Sequence, residues 1–216
     1  MPRFQWYPNV ARFRNVATGR FVSRLQVKAW ADAVLGKSPV ADWVSKLATK
    51  ELRVEIWHQN MRDEIRRNVL EQYMAGRGGK GPLTVKERGS LGGMCKEQYT
   101  YLDRFAAEIA KGNLTEGQIR RRAEMYINSA GEAYERAQRR ATEGTSLNEV
   151  SWVMDPPKEH CTGDPGCTEL AALGWQNREP WPFRVGGDQI YPKQGRTPCL
   201  TNCGCTIHYR ASRRKR

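Results

Sequence analysis

Five of the six cysteines in this 216-residue chain fall between Cys161 and Cys205, in a stretch rich in proline and glycine and poor in apolar side chains. They form two groups. Cys161 and Cys167 flank the turn-forming run Asp164-Pro165-Gly166, with His160 adjacent, and Cys199, Cys203 and Cys205 lie together further on. Two ligand groups separated along the chain are the layout of a structural zinc site, in which four soft donors close a tetrahedron at about 2.3 Å per sulfur. A loop-rich segment with a small core also needs a staple of this kind.

Composition decides how the thiols are read. Hydrophobic residues make up 39% of the chain, and no apolar run approaches the ~18 residues of a membrane span. No apolar stretch follows a basic start at Met1–Val10, so no cleaved secretory signal is expected. In a reducing cytosol, clustered cysteines are metal ligands before they are disulfides. The expected site is one structural Zn2+ per chain held by Cys161, Cys167, Cys199 and Cys205. Cys203 is the first substitute, then His160 or His208, because thiolates dominate structural zinc. A disulfide pair and reduced buried thiols are the competing readings. Cys95 stands apart on a helix and reads as a small core residue.

The formal charge of +13 sits at the ends. Residues 1–28 carry Arg3, Arg12, Arg14, Arg20, Arg24 and Lys28 without an acid; residues 193–216 carry Lys193, Arg196, Arg210, Arg213, Arg214, Lys215 and Arg216, again without one. Basic arms of this kind suit nucleic acid or an acidic partner protein, since phosphate neutralisation releases counterions without regard to sequence. Phe4, Trp6, Tyr7, Phe13 and Phe21 lie among the N-terminal bases with no periodicity, which predicts an extended arm over 1–37.

Residues 38–144 read as a helical domain of about three helices. Ser38-Pro39 is a start signal, and Val40, Trp43, Val44, Leu47, Val54, Trp57, Met61, Ile65 and Leu70 form one stripe on a long helix, with a break expected near Lys50. Glycines from Gly76 to Gly81 end it. Thr84/Glu87 and Thr115/Gln118 are capping-box pairs. Gly89, Gly92 and Gly93 weaken the second helix, whose firm start is expected near Met94. Leu102, Phe105, Ala106 and Ile109 form its buried face; Ile119, Ala123, Tyr126, Ile127, Ala130, Tyr134 and Ala137 mark a single third helix. Residues 145–210 form the cysteine-rich module, with strands expected around Val150–Trp152 and Thr206–Tyr209 and helical periodicity only at 168–173, and 211–216 are a basic tail. The fold class is therefore mainly α: a helical bundle followed by a small zinc-stapled module with short β-strands.

No phosphate-binding glycine loop and no His-Glu-x-x-His pattern occurs, His58 reads as a solvated helix residue, and a zinc closed by four cysteines leaves no open position for water. No catalytic residues are assigned and the chain is not expected to be an enzyme. A nuclease using His160 and His208 is a further reading.

Three stretches together resemble the phage head morphogenesis family, the F-type minor head proteins of Mu-like tailed phages. They are Leu102–Gly112 with Gln118–Tyr126; His160-Cys161 through Cys167 to Trp175; and Gly195–Arg210, whose Asn202-Cys-Gly-Cys205 is similar to the family's terminal Asn-Cys-Arg-Cys element. Gly204 stands where the family usually has arginine, and the first cysteine pair is more widely spaced than is common there. The resemblance implies a virion protein near the portal vertex, acting in head assembly in the host cytoplasm, with portal and major capsid proteins as partners and no membrane or small-molecule substrate. The alternative is a zinc-containing DNA-binding regulatory protein.

Overall fold

The first predicted stripe folds as two helices, α1 (Val40–Ala48) and α2 (Val54–Arg77), parted at the expected place. Lys50 takes φ 62°, and the Leu52 N–H closes back onto the Lys46 carbonyl at 3.0 Å. The computed structural model describes residues 4–7, 12–15, 21–22, 38–79, 81–154, 163 and 165–212.

Helix α2 buries Trp57, Met61, Ile65, Val69 and Tyr73 at four-residue spacing. Leu70, assigned to the stripe from sequence, is instead 41% exposed, because the four-residue row passes through Val69. The helix runs past Gly76 and stops at Gly78, whose φ of 82° admits bonds from Gly79 N–H to Met74 O (2.8 Å) and from Gly78 N–H to Ala75 O (3.1 Å). This is a Schellman stop.

Helix α3 (Val85–Ala110) begins at its cap, not near Met94. The Thr84 N–H donates to Glu87 Oε2 at 2.7 Å and the Glu87 N–H to Thr84 Oγ1 at 3.2 Å, and this reciprocal cap outweighs the glycines that follow. Helix α4 (Glu116–Ser129) opens on the equivalent Thr115/Gln118 box. The single third helix expected from sequence divides here, and α5 (Gly131–Ala141) follows. The Ser129 hydroxyl donates to the Tyr126 carbonyl at 2.7 Å, and a Ser-Ala-Gly junction with such a back-bond is a recurrent cause of bending. Trp57 packs edge-on against Phe105, which stacks on Tyr126, so α2, α3 and α4 share one core.

His58 lies at the partly exposed surface, a quarter exposed, and is paired there. Its Nε2 sits 2.7 Å from Asp103 Oδ1, bridging α2 to α3. Cys95 is buried in the helical core as expected.

The chain after the helices builds a second core of its own, larger than its loop-rich sequence promises. Strand β4 (Glu149–Val153) pairs antiparallel with β8 (Thr206–Arg210), Val150 opposite Tyr209 and Trp152 opposite Ile207, and with β5 (Gln176–Asn177) on its other edge. Strands β6 (Arg184–Val185) and β7 (Asp188–Gln189) form a hairpin through Gly186-Gly187, both at positive φ. Trp181 stacks on Tyr191 at 5.1 Å and meets Phe183 edge-on at 5.5 Å, and Phe183 in turn meets Trp152. Aromatic side chains supply large buried area from few residues, which apolar counting undervalues.

Helix α5 is the floor of this second core. Gln138 Nε2 donates to the Gly76 carbonyl at 2.8 Å, Arg139 lies over Trp181 and donates to the Tyr191 hydroxyl at 2.7 Å, and Glu135 accepts from the Ile207 N–H at 3.3 Å. Within the N-terminal segment, β1 (Phe4–Tyr7), β2 (Arg12–Asn15) and β3 (Phe21–Val22) form an antiparallel sheet in that order. The backbone is extended there, as an arm would be, but it is paired with itself. Among the described residues, no helix is long and apolar enough to cross a membrane.

Candidate metal centre

Three elements carry the cysteines to one point. Helix α6 (Cys167–Ala172) places Cys167 in its first turn, and the Glu169 carboxylate accepts from the Gly166 N–H at 3.0 Å, holding that turn. A 3-10 turn, Leu200–Asn202, follows Cys199; its Leu200 N–H donates to the Thr197 carbonyl at 2.8 Å. Cys203 and Cys205 lie on the extended run that becomes β8. The two-residue alternation of that run puts Cys203, Cys205, Ile207 and Tyr209 on the buried side.

The sulfurs of Cys167, Cys203 and Cys205 all lie within 4.8 Å of one another, and all three residues are buried. Cys167 Sγ is 3.6 Å from Cys203 Sγ and 3.4 Å from Cys199 Sγ. A disulfide requires about 2.05 Å. Four thiolates at about 2.3 Å from a zinc stand about 3.8 Å apart along a tetrahedral edge, close to the separations found here. The three buried cysteines can therefore bind a metal ion.

The electrostatics agree with that geometry. Hydrogen bonds from Cys167 and then Cys205 push the Cys203 thiol down to about 2, against the opposing effect of burial. Cys205 moves the other way. A bond from Cys167 favours its thiolate, but its bond to Cys203, burial and the neighbouring charge outweigh this and raise it. The Trp152 indole N–H is buried without a hydrogen-bond partner, and it lies beside Cys205, whose thiolate it favours. A buried donor beside sulfur fits a centre whose sulfurs carry negative charge.

Of the predicted ligands, Cys167 and Cys205 are in the cluster, Cys199 is in contact with it, and Cys203, the first substitute, is at its middle. Cys161 and His160 lie outside the described residues. His208 falls on the opposite face of β8 from Cys205, by the same alternation. Trp152 carries no signal of a site residue, since nothing in sequence links an indole to a cysteine so distant in the chain.

The predicted contact residues divide similarly. Arg3, Arg20, Arg24, Arg213, Arg214, Lys215 and Arg216 lie outside the described residues, and Arg12 and Arg14 are placed in β2. Arg210 is engaged within the chain: its Nε is 2.6 Å from Glu149 Oε2 and its guanidinium lies 4.1 Å from the centre of the Trp175 ring. It belongs to the folded module and not to a free arm.

No protein-family model, no curated protein and no solved structure matches this chain.

Proposed function

We propose that this chain is a structural minor head protein of a tailed phage, whose C-terminal module is stapled by one zinc ion and whose basic ends contact packaged DNA or acidic partner proteins. The observation that carries the reading is the convergence of Cys167 with Cys203 and Cys205. It ties the Asn202–Cys205 element, where the family resemblance is most specific, to α6 and to a core floored by α5. Bound there, zinc would supply cross-linking between distant parts of the chain; the residues' own part is to present thiolates from three elements and to exclude water with Trp152 and Ile207.

The regulator alternative asks for a base-reading helix on the metal module. Helix α6, Cys-Thr-Glu-Leu-Ala-Ala, carries no base and has an acid in its first turn, which favours the structural reading.

Metal analysis of protein purified under reducing conditions tests the staple: close to one zinc per chain is expected. Co-purification with portal or capsid protein, and a drop in well-formed particles when the gene is deleted, test the role. Normal infectious particles from the deletion would remove it.

A further inference from the structure

The tight sulfur triad leaves a tetrahedral metal one ligand short, and the sequence offers two further cysteines, Cys161 and Cys199. We infer that Cys199 supplies the fourth sulfur, closing the centre as Cys167, Cys199, Cys203 and Cys205, and that this partly exposed thiolate is where oxidation opens it. The inference rests on the metal-stapled reading above.

Contact favours Cys199. Its sulfur is 3.4 Å from Cys167 Sγ, near the ~3.8 Å edge of a zinc–thiolate tetrahedron, and it lacks only closeness to the whole triad. A side-chain rotation closes that gap more cheaply than any movement of the buried three. Cys199 is also held for the task. Thr197, itself buried, places Oγ1 3.2 Å from Cys199 Sγ, where the hydroxyl donates to a thiolate, and the Leu200 N–H bond to the Thr197 carbonyl fixes the turn.

Burial makes the four ligands unequal. Cys167, Cys203 and Cys205 are 1%, 3% and 1% exposed, whereas Cys199 is intermediate. A solvent-borne two-electron oxidant, hydrogen peroxide, therefore meets Cys199 first. The Cys199 thiolate attacks one peroxide oxygen, the O–O bond breaks, and the leaving hydroxide takes a proton to become water. The resulting sulfenic acid faces Cys167 at contact distance. The Cys167 thiolate attacks the Cys199 sulfur, the S–OH bond breaks, and the second hydroxide is protonated to water. Two thiolates have lost two electrons to form one disulfide, peroxide has gained them, and the metal, with two ligands gone, is released.

The test uses the full chain, reduced and zinc-loaded, as wild type, Cys161→Ser and Cys199→Ser. Zinc retention against a competing chelator and peroxide-driven zinc release are followed with a metallochromic dye, and disulfides are mapped by peptide mass spectrometry. Cys161→Ser should keep zinc like wild type, and Cys199→Ser should lose it to a chelator that wild type withstands. Peroxide should release zinc from wild type together with a Cys167–Cys199 disulfide, a readout independent of whether either variant folds. Loss of zinc from Cys161→Ser with retention by Cys199→Ser overturns the ligand set. A released zinc accompanied by any other disulfide, or by none, overturns the oxidation route. Wild type that takes up no zinc removes the metal-stapled reading itself, a result separable from both.

Discussion

The Cβ that Gly76 lacks would stand 2.3 Å from the carbonyl oxygen of Tyr134, with Ala137 Cβ at 3.0 Å. At this crossing α2 and α5 touch backbone to backbone, and it is also where the two cores join, since Ala75 and Tyr134 belong to the C-terminal cluster while Tyr73 and Ala137 belong to the helical one. Gly76→Ala must push the helices apart, because the clashing atom is main chain and cannot rotate away. Overpacking of this kind costs about 1–3 kcal/mol. For a chain of this size that lowers the melting temperature by about 2–4 °C per kcal/mol, measurable by calorimetry. Gly92→Ala is the control: no atom lies within 4 Å of its Cβ position, so better helix propensity should leave stability equal or slightly raised.

Metal removal should act on the whole C-terminal module. A ligand that binds only the folded state stabilises it by RT ln(1 + [L]/Kd), about 4 kcal/mol at a thousandfold excess over Kd. Unfolding midpoints should therefore rise with free zinc and fall with chelator, and Cys203→Ser should abolish the dependence. A midpoint indifferent to zinc would count against the staple.

Trp152→Phe separates the indole N–H from the ring. The aromatic packing on Phe183 survives the exchange, and the donor beside Cys205 is lost. Removing a ligand's supporting donor typically costs 10–100-fold in metal affinity. Competition titration should show a loss of about that size, with the metal-free protein little changed in stability.

The helical half was legible because its signals are local. Capping boxes and four-residue spacing act within one or two turns, and Thr84/Glu87, Thr115/Gln118 and the Trp57–Met61–Ile65 row all stand where the sequence puts them. Sequence misleads where two local signals compete, as before Met94, where the Thr84 cap prevails over Gly89, Gly92 and Gly93. The division at Ala130 depends on a hydroxyl back-bond that Ser129 has no obligation to make. The C-terminal core was not legible because its strands are short and its packing depends on non-local contacts. Trp152, Trp181 and Ile207 meet only after β4 and β8 pair and α5 supplies the floor. Cysteine spacing marked the centre, but which sulfurs converge is set by the alternation of the 203–209 run and by the turn at Thr197, not by counting residues between them.

Glu132 gives the fold a pH dependence with a definite sign. Burial raises its carboxyl above the ordinary 4.5, with Glu97 adding to the effect, and Arg136, at 2.5 Å, and Arg196 only partly oppose it. The folded state thus holds this proton more tightly than the unfolded chain. The contribution is fully present below pH 4.5 and is lost as pH rises through the raised folded value. Glu132→Gln keeps the shape and removes the charge, so it should match wild type in acid and exceed it by a few degrees at neutral pH. Paired thermal scans across that range check it, and a variant less stable at neutral pH would show that the Arg136 pair outweighs burial.

The basic residues near the C-terminus should separate into two functional kinds. Arg210 is bound to Glu149 and stacked on Trp175, so its charge is already neutralised within the fold. Arg213, Arg214, Lys215 and Arg216 carry four positive charges in succession with no acid after Lys193. If the tail meets phosphates, each contact contributes about 0.9 to the slope of log K against log salt. Replacing all four by alanine should therefore flatten the slope for random-sequence duplex DNA by up to about 3.6 while leaving the melting temperature unchanged. Arg210→Ala should do the reverse: the slope stays, and stability falls by about 1 kcal/mol through loss of a partly buried ion pair and its ring contact. Fluorescence anisotropy over a salt series, paired with thermal denaturation, distinguishes the two. A tail variant with an unaltered slope would assign the C-terminal charge to a protein partner in place of DNA.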